Sequence, residues 1–176
     1  MEPDEGARKI CLDKYGIQSE LPEILFSLAS KKYDAVTMWH VLEHVHQLHE
    51  YMFQIMRVLK EGGVALIALP NYTSKDAADY KSYWAAYDVP RHLYHFSPQS
   101  MAVLAHQHGM KLESMRPMWL DAFYIALLSE QYKTGKTNLV SAFWNGLKSN
   151  FFALQDKSVC SSIVYILRKG DSDPVN

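Results

Sequence analysis

Cysteine is almost missing from this chain. Cys11 and Cys160 lie far apart and form neither a metal-binding nor a disulfide spacing, so a reducing, cytoplasmic setting is the default expectation. Charge of one sign is missing too. Eighteen Lys and Arg offset nineteen Asp and Glu, for a formal net charge of −1 and no basic stripe, which gives a nucleic-acid partner no electrostatic footing. No apolar run reaches the ~18 residues of a membrane span, and the acidic, charged start is not a signal peptide. Internal repeats and low-complexity segments are absent, and no G-x-G pattern occurs anywhere. At 176 residues the length suits one domain with a real core and is short for two. What is plentiful is aromatic and soft: 12% aromatic residues and eight methionines, material for an apolar pocket or a well-filled core.

The organising stretch is Tyr33 to Asn71. Tyr33 to Trp39 is short, apolar and β-prone, as a buried strand should be. Apolar residues then fall at Val41, Val45, Leu48, Met52, Ile55 and Leu59, one face of an amphipathic helix. Gly62-Gly63 is the expected helix stop. Val64 to Leu69 is again continuously apolar, and Pro70-Asn71 ends it. Strand, helix and strand at this length make a βαβ unit with parallel strands and a right-handed crossover.

On either side the elements read as follows. An N-terminal helix of roughly ten residues ends near Gly16, and Ser19 caps a short helix over Leu21 to Ala29. A long aromatic loop, Tyr72 to His95, follows the second strand, the place where open α/β sheets put ligand contacts. Ser97-Pro98 starts a helix that stops at Gly109, and Lys111 to Met115 is a strand. Helices over Met118–Tyr132 and Leu139–Leu154 are separated by a break at Lys133 to Lys136. Residues 118–155 thus form a helical insertion, a lid or a packing element, with packing favoured by its Leu and Ala content. Ser161 to Arg168 is a strand, and Gly170 to Asn176 reads as a frayed tail.

Asp34-Ala35-Val36, Val41-Leu42-Glu43-His44-Val45, Arg57-Val58-Leu59-Lys60-Glu61-Gly62-Gly63 and Pro70-Asn71, in this order, resemble the fourth strand, following helix and fifth strand of class I S-adenosylmethionine-dependent methyltransferases. The likeness is greatest to the small-molecule branch that includes the quinone-biosynthesis O-methyltransferases, which Pro90 to Phe96 also resembles. The resemblance implies an α/β, Rossmann-like sheet, mostly parallel with an antiparallel last strand. It also implies methyl transfer from S-adenosylmethionine to a small-molecule acceptor by direct displacement. In that pattern Glu2 takes the place of the acid that holds the cofactor ribose, and Trp39 and His40 lie where the methionine moiety packs. The family's first strand and glycine-rich loop have no counterpart, so the domain reads as beginning one βα unit late. Its strand order is then expected to be fourth, fifth, last, sixth. The Tyr33–Trp39 strand becomes an apolar edge that a second copy, the N-terminal helix or further sequence should cover.

Methyl transfer needs in-line placement, exclusion of water, and a base only if a hydroxyl attacks. His44, His92 and His95 are the candidates to take that proton. Asp88, Arg91 and Tyr94 are the candidates for substrate contact, with Arg91–Asp88 pairing as the plainer role. His40-Val41-Leu42-Glu43-His44 also satisfies the H-x-x-E-H zinc-peptidase pattern. A peptidase needs a third ligand on another helix, and Trp39-His40 reads as a strand end, so no metal is expected. The alternatives to a methyltransferase are a catalytically inactive fragment or interaction domain, and, behind it, a zinc hydrolase.

Overall fold

The computed structural model describes residues 1–170; most of the segment read as a tail, 171–176, lies outside the described residues. Strand β1 spans Tyr33–Trp39, β2 Leu59–Pro70, β3 Met110–Pro117 and β4 Ser162–Lys169. They form one four-stranded sheet in the order β1-β2-β4-β3, the order expected from the resemblance. The expectation of a mostly parallel sheet is wrong. Only β1 and β2 pair in parallel, and β4 runs antiparallel to both β2 and β3. The reason is topological. A single reversed strand placed between two others turns both of its ladders antiparallel.

The β1-to-β2 connection is shorter and less regular than its hydrophobic spacing suggests. His40 sits at φ 51°, in the left-handed region, which stops any helix from growing out of β1. Leu42–His44 makes one 3₁₀ turn, and the true helix, α2, spans Leu48–Val58. In this turn Leu42 and Glu43 are buried, while Val41 is exposed. The glycine pair does not cap the helix. It lies inside β2, where Gly62 has φ 69° and a Cβ on Gly63 would stand 2.9 Å from Lys60 O and 3.2 Å from Asp34 O. Gly63 therefore serves the close approach of β1 to β2.

The main core lies between the sheet and its helices. Leu42, Met52, Ile55, Leu59, Ile67, Leu69, Met101, Ile163, Tyr165 and Leu167 are all buried in it. Helix α4, Pro98–Gln107, begins with the expected Ser97 cap, which accepts from Ser100 N. A second cluster fills the space beyond the end of β2, where Tyr80, Trp84, Ala86, Ile125, Ala126 and Ala142 meet. Two helices supply it from the C-terminal half: α5, Asp121–Thr134, and α6, Leu139–Gln155. A carboxylate holds this region to the sheet. Asp76, on the short helix α3 (Lys75–Tyr80), is buried and accepts from Trp84 Nε1 at 2.8 Å, Ser149 Oγ at 2.9 Å and Ser161 Oγ at 2.6 Å.

Strand β1 is the sheet edge. None of its residues is fully buried, and among the described residues no strand pairs with its outer side. The N-terminal helix α1, Glu5–Tyr15, buries none of its own residues, so it gives that edge no apolar cover.

Candidate functional site

A cavity of about 260 Å³ opens at the carboxyl ends of β1 and β2. Three stretches wall it. The β1 tip supplies His40 and Glu43, the loop after β2 supplies Asp88, Arg91 and His92, and α5 supplies Asp121, Tyr124 and Ile125.

His40 is the hub. Its Nδ1 lies 3.3 Å from Glu43 Oε1 and its Nε2 lies 3.0 Å from Asp121 Oδ2. Both nitrogens donate when the ring is protonated, and the two carboxylates favour that form. The Asp121 hydrogen bond, then that of Glu43, raise the imidazole pKa from 6.5 to about 9. His40 is thus an imidazolium at neutral pH, fixed between β1 and α5. Glu43 is buried, and its second oxygen, Oε2, has no hydrogen-bond partner among the described residues. Its backbone carbonyl accepts from Leu93 N at 2.8 Å, which ties the β1 turn to the loop after β2.

His92 has the opposite character. Its side chain is only 10% exposed, and burial pushes its pKa below 6.5. Nδ1–H donates to Ala86 O at 2.8 Å, which fixes the tautomer and leaves the lone pair on Nε2, 3.9 Å from Asp88 Oδ2. His44 donates from Nδ1 to Arg91 O and meets the His92 ring edge-on at a centroid distance of 4.7 Å. His44 is exposed and does not line the cavity.

The remaining expected site residues scatter. Arg91 donates to Asp88 Oδ1 from Nη2 at 2.7 Å and from Nε at 3.1 Å, so the loop pairing is real and both residues also face the cavity. Tyr94 and His95 instead line a separate, open groove of about 500 Å³ with Tyr72, Phe96 and Val103, and His95 Nε2–H donates to Tyr87 O. Trp39 is half exposed at the β1 tip and is not a cavity residue. Glu2 uses its carboxylate on Asp4 N and its own N–H on Glu20 O, all within the N-terminal segment. Asp121 had no signal in the sequence beyond an acid in the first turn of a helix, and the burial of Glu43 had none.

The H-x-x-E-H run does not form a peptidase site, because His40 is in a left-handed bend, off any helix, and both its ring nitrogens are engaged. Among the described residues the three side chains whose ligand atoms do gather, within 4.8 Å of one another, are Glu43, His44 and His92.

Polar side chains gathered beyond the carboxyl ends of adjacent strands mark the place where open α/β sheets bind ligands. The chain belongs to the methyltransferase-domain family, which matches residues 3–115, and S-adenosylmethionine is the cofactor expected of it. No curated protein sequence matches the chain. Among solved structures it is similar to a SAM-dependent methyltransferase from Archaeoglobus fulgidus, at 20% identity and TM-score 0.59 over 96% of this chain and 74% of that one. It is also similar to the 1,6-didemethyltoxoflavin-N1-methyltransferase of Burkholderia thailandensis, bound to its substrate and S-adenosylhomocysteine, at 14% identity and TM-score 0.51 over 97% and 59%. The [4+2]-cyclase SpnF aligns at 12% identity and TM-score 0.51 over 87% and 53%. At such identities the likeness is one of fold.

The cavity is small for a whole cofactor and an acceptor together. A volume of about 260 Å³ is below the ~300–1,000 Å³ usual for drug-sized ligands. No glycine stands at the carboxyl end of β1 or β2 to admit a close backbone approach; Gly63 is at the other end of β2, and Gly146 is packed on Phe123.

Proposed function

We propose that this chain forms the acceptor side of an S-adenosylmethionine-dependent methyl transfer to a small molecule, by direct displacement onto an oxygen. The observation that carries the reading is His92. It is kept neutral by burial, its tautomer is fixed by Ala86 O, and it lines the cavity. Such an imidazole accepts the proton of an acceptor hydroxyl as the oxygen attacks. Of the three histidines considered from the sequence, His44 is outside the cavity and His95 faces the other groove, so His92 is the base.

The other residues bind and orient. The His40 imidazolium holds Glu43 and Asp121 at fixed positions, joining the β1 turn to α5. Asp88, braced by Arg91, offers a carboxylate to a polar group of the acceptor. Ile125, buried, and Tyr124, exposed at the rim, form the apolar wall. A small acceptor with a hydroxyl suits this volume, and a cytoplasmic setting belongs to the same reading.

The test is His92→Gln assayed for S-adenosylhomocysteine release on a panel of phenols. The expected result is a loss of about 10²–10⁴-fold in kcat, little change in KM, and loss of the acidic limb of the pH profile. Full activity with an unchanged profile would refute the assignment. A second reading, a binding module without turnover, draws support from the small volume of the cavity, about 260 Å³. Assay of S-adenosylhomocysteine release by the unaltered chain distinguishes the two: turnover excludes the binding module, and acceptor binding without turnover favours it.

A further inference from the structure

Helix α6 is packed inside out. Its buried residues are Ala142, Gly146, Ser149 and Ala153, a row of small side chains that lets α5 come close. A Cβ on Gly146 would stand 2.6 Å from Phe123 Cδ1. The large apolar residues are mostly turned outward, Phe143 alone of them also stacking on Phe123 of α5. Val140 is 69% exposed, Trp144 62%, Phe151 58% and Leu154 72%, with Phe143 and Leu147 also exposed between them. At 100° per residue these six fall within an arc of about 100°, opposite the buried row, and Val140 to Leu154 extends for about 21 Å. Burial of large residues normally drives helix packing, so this stripe needs an apolar partner of its own.

The charges beside the stripe identify that partner. Residues 131–155 contain no acid, in a chain with nineteen of them. Lys133, in the last turn of α5, and Lys136, just before α6, are exposed, Lys157 is exposed just past the end of α6, and Lys148 on its flank reaches Asp79. The nearest acid beyond the helix, Asp156, is turned to cap Ser158 N. A second copy of the chain fits this surface badly, because antiparallel α6 helices would bring Lys136 against Lys157. An anionic lipid surface fits both features: it takes aromatic and aliphatic side chains at the headgroup boundary and attracts the flanking lysines. No helix of the described residues is long and apolar enough to cross a membrane, so α6 would lie along the surface.

We propose that α6 docks this protein on the surface of an anionic lipid bilayer through Val140, Phe143, Trp144, Leu147, Phe151 and Leu154. The inference does not depend on the chemistry assigned to the cavity. The experiment is co-sedimentation of the full chain with phosphatidylcholine vesicles and with phosphatidylcholine vesicles carrying ~30% phosphatidylglycerol. Binding to the second kind is expected, weakened at least about tenfold by Trp144→Asp with Phe151→Asp, and about tenfold by 0.5 M salt or by reversing Lys133, Lys136 and Lys157 to Glu. Both sets of changes are at exposed positions, and circular dichroism and thermal melts confirm that each variant is folded. Equal binding to both vesicles, or no binding by a protein that light scattering shows to be a dimer or a monomer, overturns the proposal.

Discussion

Replacing His40 by Gln tests the part of the site that the fold depends on. In the unfolded chain His40 titrates at its ordinary 6.5, and in the fold at about 9. A group whose pKa is raised by folding stabilises the native state below its unfolded pKa. That contribution fades as pH climbs through the folded value, so the window here is pH 6.5 to 9. A difference of 2.5 units between these two values corresponds to at most about 3.4 kcal/mol. The side chain is 36% exposed, and solvent screening cuts this to about 1–2 kcal/mol, or roughly 2–8 °C in Tm for a chain of this size. The assay is thermal unfolding of both proteins at pH 6.5 and pH 9.5, beside NMR titration of the imidazole. The variant should lie below the native protein at pH 6.5, and the gap should narrow by about 1–2 kcal/mol at pH 9.5. Some gap should persist, because Glu43 stays buried without its cation. A gap independent of pH, or an imidazole titrating near 6.5, would falsify the clamp.

Two further substitutions probe the interior. Asp76→Ala strands the indole N–H of Trp84 and the hydroxyls of Ser149 and Ser161, and should cost about 3 kcal/mol, roughly 6–12 °C in Tm; a shift within a degree or two would mean that water serves these donors equally well. Tyr165 is wholly buried in β4 and its hydroxyl has no partner among the described residues, so Tyr165→Phe should raise stability by about 1 kcal/mol, and a drop in the denaturant midpoint would reveal a partner for that hydroxyl.

Much of the frame was legible because it rests on local chemistry. The apolar run Tyr33–Trp39, the Ser97-Pro98 helix start and the run of residues ending at Arg168 each encode their own element, and the family resemblance ordered the strands. The sheet's character was misjudged because one antiparallel strand was counted as one exception, whereas its central place reverses two of three ladders. The helix expected from Val41 fails at a backbone angle, the extended Val45 (φ −75°, ψ 134°) that ends the first turn, which a hydrophobic period cannot register. The site was legible only along single segments. Asp88, Arg91 and His92 are adjacent in the chain and share the cavity. The His40–Asp121 pair joins residues eighty-one apart, and nothing local in either segment announces the other.

That pair also bears on where specificity comes from. The family matches residues 3–115, which contain His92, the proposed base, and the β1 turn. Asp121, Tyr124 and Ile125, the opposite wall, come from α5, outside that span. The shared fold can therefore keep the strand-end machinery constant while the α5–α6 segment changes what the cavity accepts. SpnF, a cyclase with a similar fold, illustrates that the sheet alone does not fix the chemistry. In this chain α5 faces the cavity on one side and packs on α6 on the other, and the face of α6 turned away from α5 is the one assigned to lipid. A segment built this way would place the acceptor cavity close to a membrane surface, where apolar acceptors concentrate.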